Sequence, residues 1–375
     1  MEAGPLSTAN LTPTPMPPPP SSLVRRSRRR RPTLAIHRIW PRHAVPGGRV
    51  DISGRGFRVD YASRIRVFFG DEPAHIYRVS ASRLGVQVPE NAGSEVRVCL
   101  NDRETEPYPI SIGRFVAEKL HIVSNPVFDS EGFLYTTVSG TRGEKIPHPV
   151  YRLADDEDPV PMGDGIVNPT GLAWGPDDTL YVSSRQDGHI YRMNEDGDFD
   201  VLLENLGVAT GIGFSPTGDL MVGDRNGVVY RMAPDGDVSV FSQMRPSVSA
   251  YHLAFNSAGS LFVSGPTLAS RDHIVEFEPD GEVRRLLSGF GRPQGMAFDH
   301  RDRCFIAEGL AGDGGVFLFT AERTTRRIIS GPSMVGVAIR PDEGVIAVAT
   351  GEAVYAFDLD SELLGESEEE GSGVG

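Results

Sequence analysis

The chain has 375 residues, a formal net charge of −14, 43 glycines and 29 prolines but only two cysteines. That length carries two or three domains, and the glycine and proline content fits turn-rich β-structure. No apolar run approaches the ~18 residues of a membrane span. The charge is uneven: residues 1–31 hold six arginines (Arg25, Arg26, Arg28–Arg31) against Glu2, leaving −19 on the remainder. An acidic body disfavours nucleic-acid binding by the folded part.

Residues 1–33 read as a disordered tail, with PTPMPPPP followed by RRSRRRR and no hydrophobic periodicity. The Arg25–Arg31 run is a candidate contact for nucleic acid or an acidic surface. No aromatic residue interleaves with it to stack on bases, so a solvated basic tail is the preferred reading. No apolar secretory stretch opens the sequence, which gives the expectation of a cytoplasmic protein.

From Leu34 to Gly113 short strands follow one another. LAIHRIW, a Pro46-Gly47-Gly48 turn and VDISGRGF lead to strands near Ile65–Phe69, Ala74–Val79, Leu84–Val88, Glu95–Leu100 and Tyr108–Ile112. This is the pattern of an Ig-like sandwich without the antibody cysteine pair. Residues 34–113 resemble the IPT/TIG domain family through Pro46-Gly47-Gly48, Val50–Phe57, Val67-Phe68-Phe69-Gly70 and Val86-Gln87-Val88-Pro89. The resemblance implies an Ig-like binding or spacer module. Gly54 and Gly56 are expected to need positive φ, and Phe57 to pack in the core.

Beyond the sandwich, one phrase recurs. TGLAWGPDDTLYVSS starts at Thr170, TGIGFSPTGDLMVGD at Thr210 and YHLAFNSAGSLFVSG at Tyr251. QGMAFDHRDRCFIAE starts at Gln294, VGVAIRPDEGVIAVA at Val335 and the weaker SNPVFDSEGFLYTTV at Ser124. These anchors lie 40–46 residues apart, the length of a four-stranded propeller blade. In Thr210–Val240 the apolar residues alternate and Ser-Pro-Thr-Gly, Arg-Asn-Gly and Pro-Asp-Gly mark the turns. Six copies imply an all-β chain with a six-bladed β-propeller over residues 114–360, after the sandwich and before an acidic, glycine-rich disordered tail at 361–375. The last copy lacks a fourth strand. Arg114–Ile122 is strand-like and unassigned, so it is expected to close the ring. Phe128, Trp174, Phe214, Phe255 and Phe298 share one repeat position and should pack between blades.

The repeats resemble NHL-repeat propellers and the senescence-marker-protein/gluconolactonase family. The latter resemblance implies a divalent cation, such as calcium or zinc, held at the axis by Glu, Asn and Asp oxygens. The corresponding positions here are Ser124, Thr210, Tyr251 and Gln294, none of which keeps the family residue. Ser124, Asn125, Thr170, Thr210, Tyr251, His252 and Gln294 are the candidate axial residues: polar, without a carboxylate. Asp187, Asp224, Glu308 and Asp313 read as turn residues, and Cys99 and Cys304 as buried thiols. The expectation is a non-catalytic propeller without cofactor or metal, engaging a protein, peptide or small ligand on one face. The IPT/TIG-like module would serve as spacer or second contact. The alternative is a metal-dependent lactone hydrolase with a divergent site.

Overall fold

The computed structural model describes residues 33–364 except 59, 61–63, 141–145, 155–156, 321–323 and 343. The arginine run and most of both expected tails lie outside the described residues.

The N-terminal module is a two-sheet sandwich. One sheet orders Ala35–Trp40, Arg49–Arg55, Arg83–Gln87 and His75–Val79; the other orders Tyr108–Pro109, Glu95–Leu100, Ile65–Phe69 and Glu72–Pro73, with Arg103–Glu104 beside Glu95–Leu100. Alternation puts Val50, Ile52, Leu84 and Val86 of the first sheet against Val67, Phe69, Val96 and Val98 of the second, in one buried cluster. Each such side chain contributes about 1.5–3 kcal/mol by leaving water. Phe57 joins this core at 3 % exposure. Gly56 has φ +84°, as expected, but Gly54 does not have positive φ. Gly54 is needed for space, because a Cβ there would lie 2.6 Å from the Phe57 ring.

Six sheets follow, numbered here as blades 1 to 6. Their inner strands are Val127–Phe128, Pro169–Trp174, Ala209–Phe214, His252–Phe255, Pro293–Phe298 and Met334–Ile339. Each inner strand pairs with the next strand in sequence and the order continues outward. Neighbouring inner strands touch all the way round, and Val127–Phe128 contacts both Pro169–Trp174 and Met334–Ile339, so the ring is closed. Closure in the sixth sheet comes from Arg114–Glu118, antiparallel on Ala353–Asp358. The repeated aromatics pack between blades: ring centroids of Tyr135 and Trp174 are 5.0 Å apart, Tyr181 and Phe214 4.9 Å, Phe262 and Phe298 4.9 Å. The hairpin glycines Gly218 (φ +86°) and Gly236 (φ +94°) take up the left-handed geometry of the turns.

The sandwich and the ring share a sheet. His43–Ala44 runs parallel to the outer strand of blade 5, Thr325–Ser330, and Ser111–Ile112 pairs with His43–Ala44 on its other side. The expected strand Tyr108–Ile112 is therefore two pieces, one in the sandwich and one on the propeller. Val45 N donates to Ser330 O at 2.9 Å. The Ser330 hydroxyl accepts from Arg49 N at 2.8 Å and donates to Arg49 O at 2.7 Å. Gly48 is required at this seam, since a Cβ would lie 2.6 Å from Ser330 O. Val45 is buried with the blade 5 and 6 residues Phe305, Val316 and Met334.

Packing also extends past residue 360. Ser361–Leu364 forms one helical turn, held by Leu363 N donating to Asp360 Oδ1 at 2.9 Å, and Leu363 and Leu364 join the blade 5 and 6 core. Cys304 is buried and Cys99 half-buried, both as free thiols. No helix among the described residues is long and apolar enough to cross a membrane.

Candidate functional site

The inner strands surround an axial cavity of about 300 Å³. Its lining runs from Ser124, Asn125 and His252, where inner strands begin, to Phe128, Trp174, Phe214, Phe255 and Phe298, where they end. Two polar side chains, Asn125 and His252, mark the end of the cavity where the inner strands begin. Asn125 Nδ2 donates to Met296 O at 2.9 Å, and its Oδ1 accepts from Val337 N at 3.1 Å, so one amide ties blade 1 to blades 5 and 6. This leaves no room for a side chain at Gly295, whose Cβ would collide with Asn125 Oδ1.

His252 lies 3.1 Å from Gln294 Oε1 through Nε2, at 1 % exposure. Burial pushes its pKa down to about 4, against a smaller upward pull from the Gln294 bond. The imidazole is neutral at pH 7. With the Gln294 oxygen facing Nε2, that nitrogen carries the proton and Nδ1 is left as an acceptor. Nδ1 is buried and has no partner.

The other candidates hold the blades together. Thr210 Oγ1 donates to Gly223 O at 3.0 Å and accepts from Tyr251 N at 3.1 Å, stitching blade 3 to blade 4. The Tyr251 hydroxyl donates to Arg245 O, and burial raises its pKa to about 12. Thr170 Oγ1 donates to Asn168 O at 3.3 Å. Thr170, Thr210 and Tyr251 do not line the cavity, and Gln294 bears on it only through His252.

The loop carboxylates have local partners. Asp224 accepts from Val208 N and Asn226 N, at 2.9 and 3.0 Å. Glu308 accepts from Gly291 N, Arg292 N and Leu310 N at 2.8, 2.6 and 2.9 Å, while burial raises its pKa. Asp187 accepts from His189 N and the Tyr191 hydroxyl, and Asp313 pairs with Arg327 at 2.9 Å. Among the described residues no three His, Cys, Asp or Glu side chains group as metal ligands. A cation at the axis would meet a hydroxyl (Ser124), a committed amide (Asn125) and an imidazole nitrogen, without a carboxylate. This donor set does not fit a hard divalent ion.

The repeat alignment hides one further position. The fifteenth residue after each anchor is Ser139, Arg185, Arg225, Pro266, Gly309 or Thr350. In four blades its N–H closes the mouth loop in the same way: Ser139 N to His121 O, Arg185 N to Asn168 O, Arg225 N to Val208 O, Gly309 N to Arg292 O. These residues therefore ring the mouth where the inner strands begin.

Residues 34–111 match the IPT/TIG domain. No curated protein sequence matches the chain. Among solved structures, an auxiliary nutrient binding protein from Bacteroides thetaiotaomicron superposes over 88 % of this chain and 98 % of its own, at TM-score 0.50 and 12 % identity. A putative gluconolactonase covers 66 % of this chain and 91 % of its own at TM-score 0.54 and 18 % identity. A gluconolactonase from Xanthomonas campestris covers 65 % and 88 % at TM-score 0.53 and 15 % identity. At these identities the likeness is one of fold. Residues 34–111 are thus an IPT/TIG domain match, and the sheets that follow have the fold of a β-propeller.

Proposed function

We propose that the propeller is a non-catalytic binding module, with six NHL-like blades, that takes a small uncharged ligand in its axial cavity. The observation that carries this is His252: a buried neutral imidazole with an unpartnered acceptor nitrogen, in the lining of the axial cavity with Ser124, Asn125 and the aromatic residues of the inner strands. A ligand hydroxyl or N–H supplies the missing donor, and the body of the ligand packs on the inner-strand aromatics. The IPT/TIG domain acts as a rigid spacer, since it shares a sheet with blade 5. A cavity of about 300 Å³ falls at the lower end of the range for small-molecule sites.

The fold likeness to gluconolactonases keeps a second reading, a divergent metal-dependent lactone hydrolase. The two readings separate in one set of assays. Neutral polyols, sugars and aldonolactones are screened by thermal shift against the wild type and His252→Phe, and the lactones are also followed by pH-indicator hydrolysis. The binding reading expects stabilisation that His252→Phe abolishes and no hydrolysis. Chelator-sensitive hydrolysis would replace it with the enzyme reading.

A further inference from the structure

Arg185 and Arg225 occupy the same place on blades 2 and 3, at the mouth where the inner strands begin. The Arg185 guanidinium is half-buried and donates to the Ser139 hydroxyl of blade 1 at 3.1 Å, leaning across the loop to the preceding blade. Ser139 is itself 1 % exposed, so this hydroxyl is a fixed point. Arg225 is exposed, and its charge reaches Arg185: burial first, then the Arg225 charge, hold the Arg185 guanidinium below its usual range. Among the described residues neither arginine has a carboxylate partner. The nearest loop acids are engaged elsewhere, Asp224 by Val208 N and Asn226 N, Asp187 by His189 N and Tyr191.

Two like charges side by side at the mouth, neither in a direct ion pair among the described residues, repel each other, and an anion bound between them relieves that repulsion. The corresponding positions on blades 4 and 5 are Pro266 and Gly309, which carry no charge. The opposite mouth differs: the turns that follow the inner strands carry Asp177, Asp178, Asp299, Asp302 and Asp342. There Asp177, Asp299 and Asp342 are paired with Arg192, Arg303 and Arg340, so those guanidiniums already have carboxylate partners. Guanidinium forks pair with planar or tetrahedral oxyanions through two parallel N–H···O bonds.

We propose that Arg185, held in place by Ser139, and Arg225 form a binding site for the oxyanion group of a small molecule, a carboxylate or a phosphate. This site is separate from the axial cavity and does not depend on the reading given to it.

The test is calorimetric titration of the full chain at fixed ionic strength with inorganic phosphate and, separately, with malonate. One saturable site for either probe is expected, weakened at least tenfold in Arg185→Gln and in Arg225→Gln. Arg301→Gln, an exposed arginine in a turn at the opposite mouth, should leave it unchanged. Arg185→Lys keeps the charge but not the fork, and should bind with intermediate affinity. Because Arg225 is exposed, Arg225→Gln reports even where a change at Arg185 impairs folding. Binding of phosphate alone, malonate alone or both supports the site and assigns the ligand's anionic group. Absence of saturable binding for both probes would overturn the proposal, as would equal affinity in wild type and Arg225→Gln.

Discussion

Replacing Ser330 by alanine removes both hydrogen bonds that its hydroxyl makes to the Arg49 backbone, at 2.8 and 2.7 Å, from a residue with 0 % exposure. Arg49 N–H then has no acceptor at the seam, while Arg49 O keeps only the long contact from Arg327 at 3.5 Å. The bond is part-buried, so losing it costs about 0.5–1.5 kcal/mol, and that is the expected loss in unfolding free energy. The seam also makes a stronger claim, that sandwich and ring unfold together. The chain has two tryptophans, Trp40 at the end of a sandwich strand and Trp174 in the inner strand of blade 2. Trp174→Phe and Trp40→Phe therefore give single-tryptophan proteins that report each part alone. Urea unfolding followed by fluorescence should give coincident midpoints for the two reporters, both displaced to lower urea by Ser330→Ala. Two separate transitions without the substitution would refute the shared-sheet reasoning. So would a Ser330→Ala effect confined to Trp40.

Three other outcomes follow from named contacts. The folded pKa of His252, about 4, lies below its ordinary value of 6.5, so the unfolded chain takes up the proton first as pH falls. Stability is complete above pH 6.5 and declines towards pH 4 by about 3 kcal/mol; His252→Asn should flatten that slope in urea titrations, and an unchanged slope would contradict the burial argument. Thr210→Val removes the stitch between Gly223 O and Tyr251 N and should cost about 1–3 kcal/mol by calorimetric melting, with no change in ligand affinity. Ala117→Asp puts a charge at a 3 % exposed position of the ring-closing strand and should abolish soluble folded yield; a variant with wild-type melting would mean that Arg114–Glu118 does not close the ring.

The repeat was legible because its signals are local. Alternating apolar residues and hairpin glycines recur every 40–46 residues, and a last copy short of one strand points to a donor upstream. The seam was not legible, since His43–Ala44 and Ser111–Ile112 are two residues long and have no periodicity. His43–Ala44 pairs with Thr325–Ser330, almost 300 residues away, and Ser111–Ile112 in turn pairs with His43–Ala44. The site was legible as a place on the repeat but not as side-chain directions. Along a strand a shift of one residue changes the face, which is why Asn125 and His252 line the cavity while Thr170, Thr210 and Tyr251 bond to backbone between strands and blades. Arg185 and Arg225 become visible only once the anchors are aligned, because their significance lies in the neighbouring blade and not in the adjacent sequence.

Elemental analysis of the purified full chain, before and after dialysis against chelator, tests most directly the claim that the axis serves a neutral ligand and not a cation. The account predicts calcium and zinc well below one per chain and a melting temperature that chelator leaves unchanged. One tightly held ion per chain, lost with chelator together with thermal stability and restored by adding it back, would contradict it.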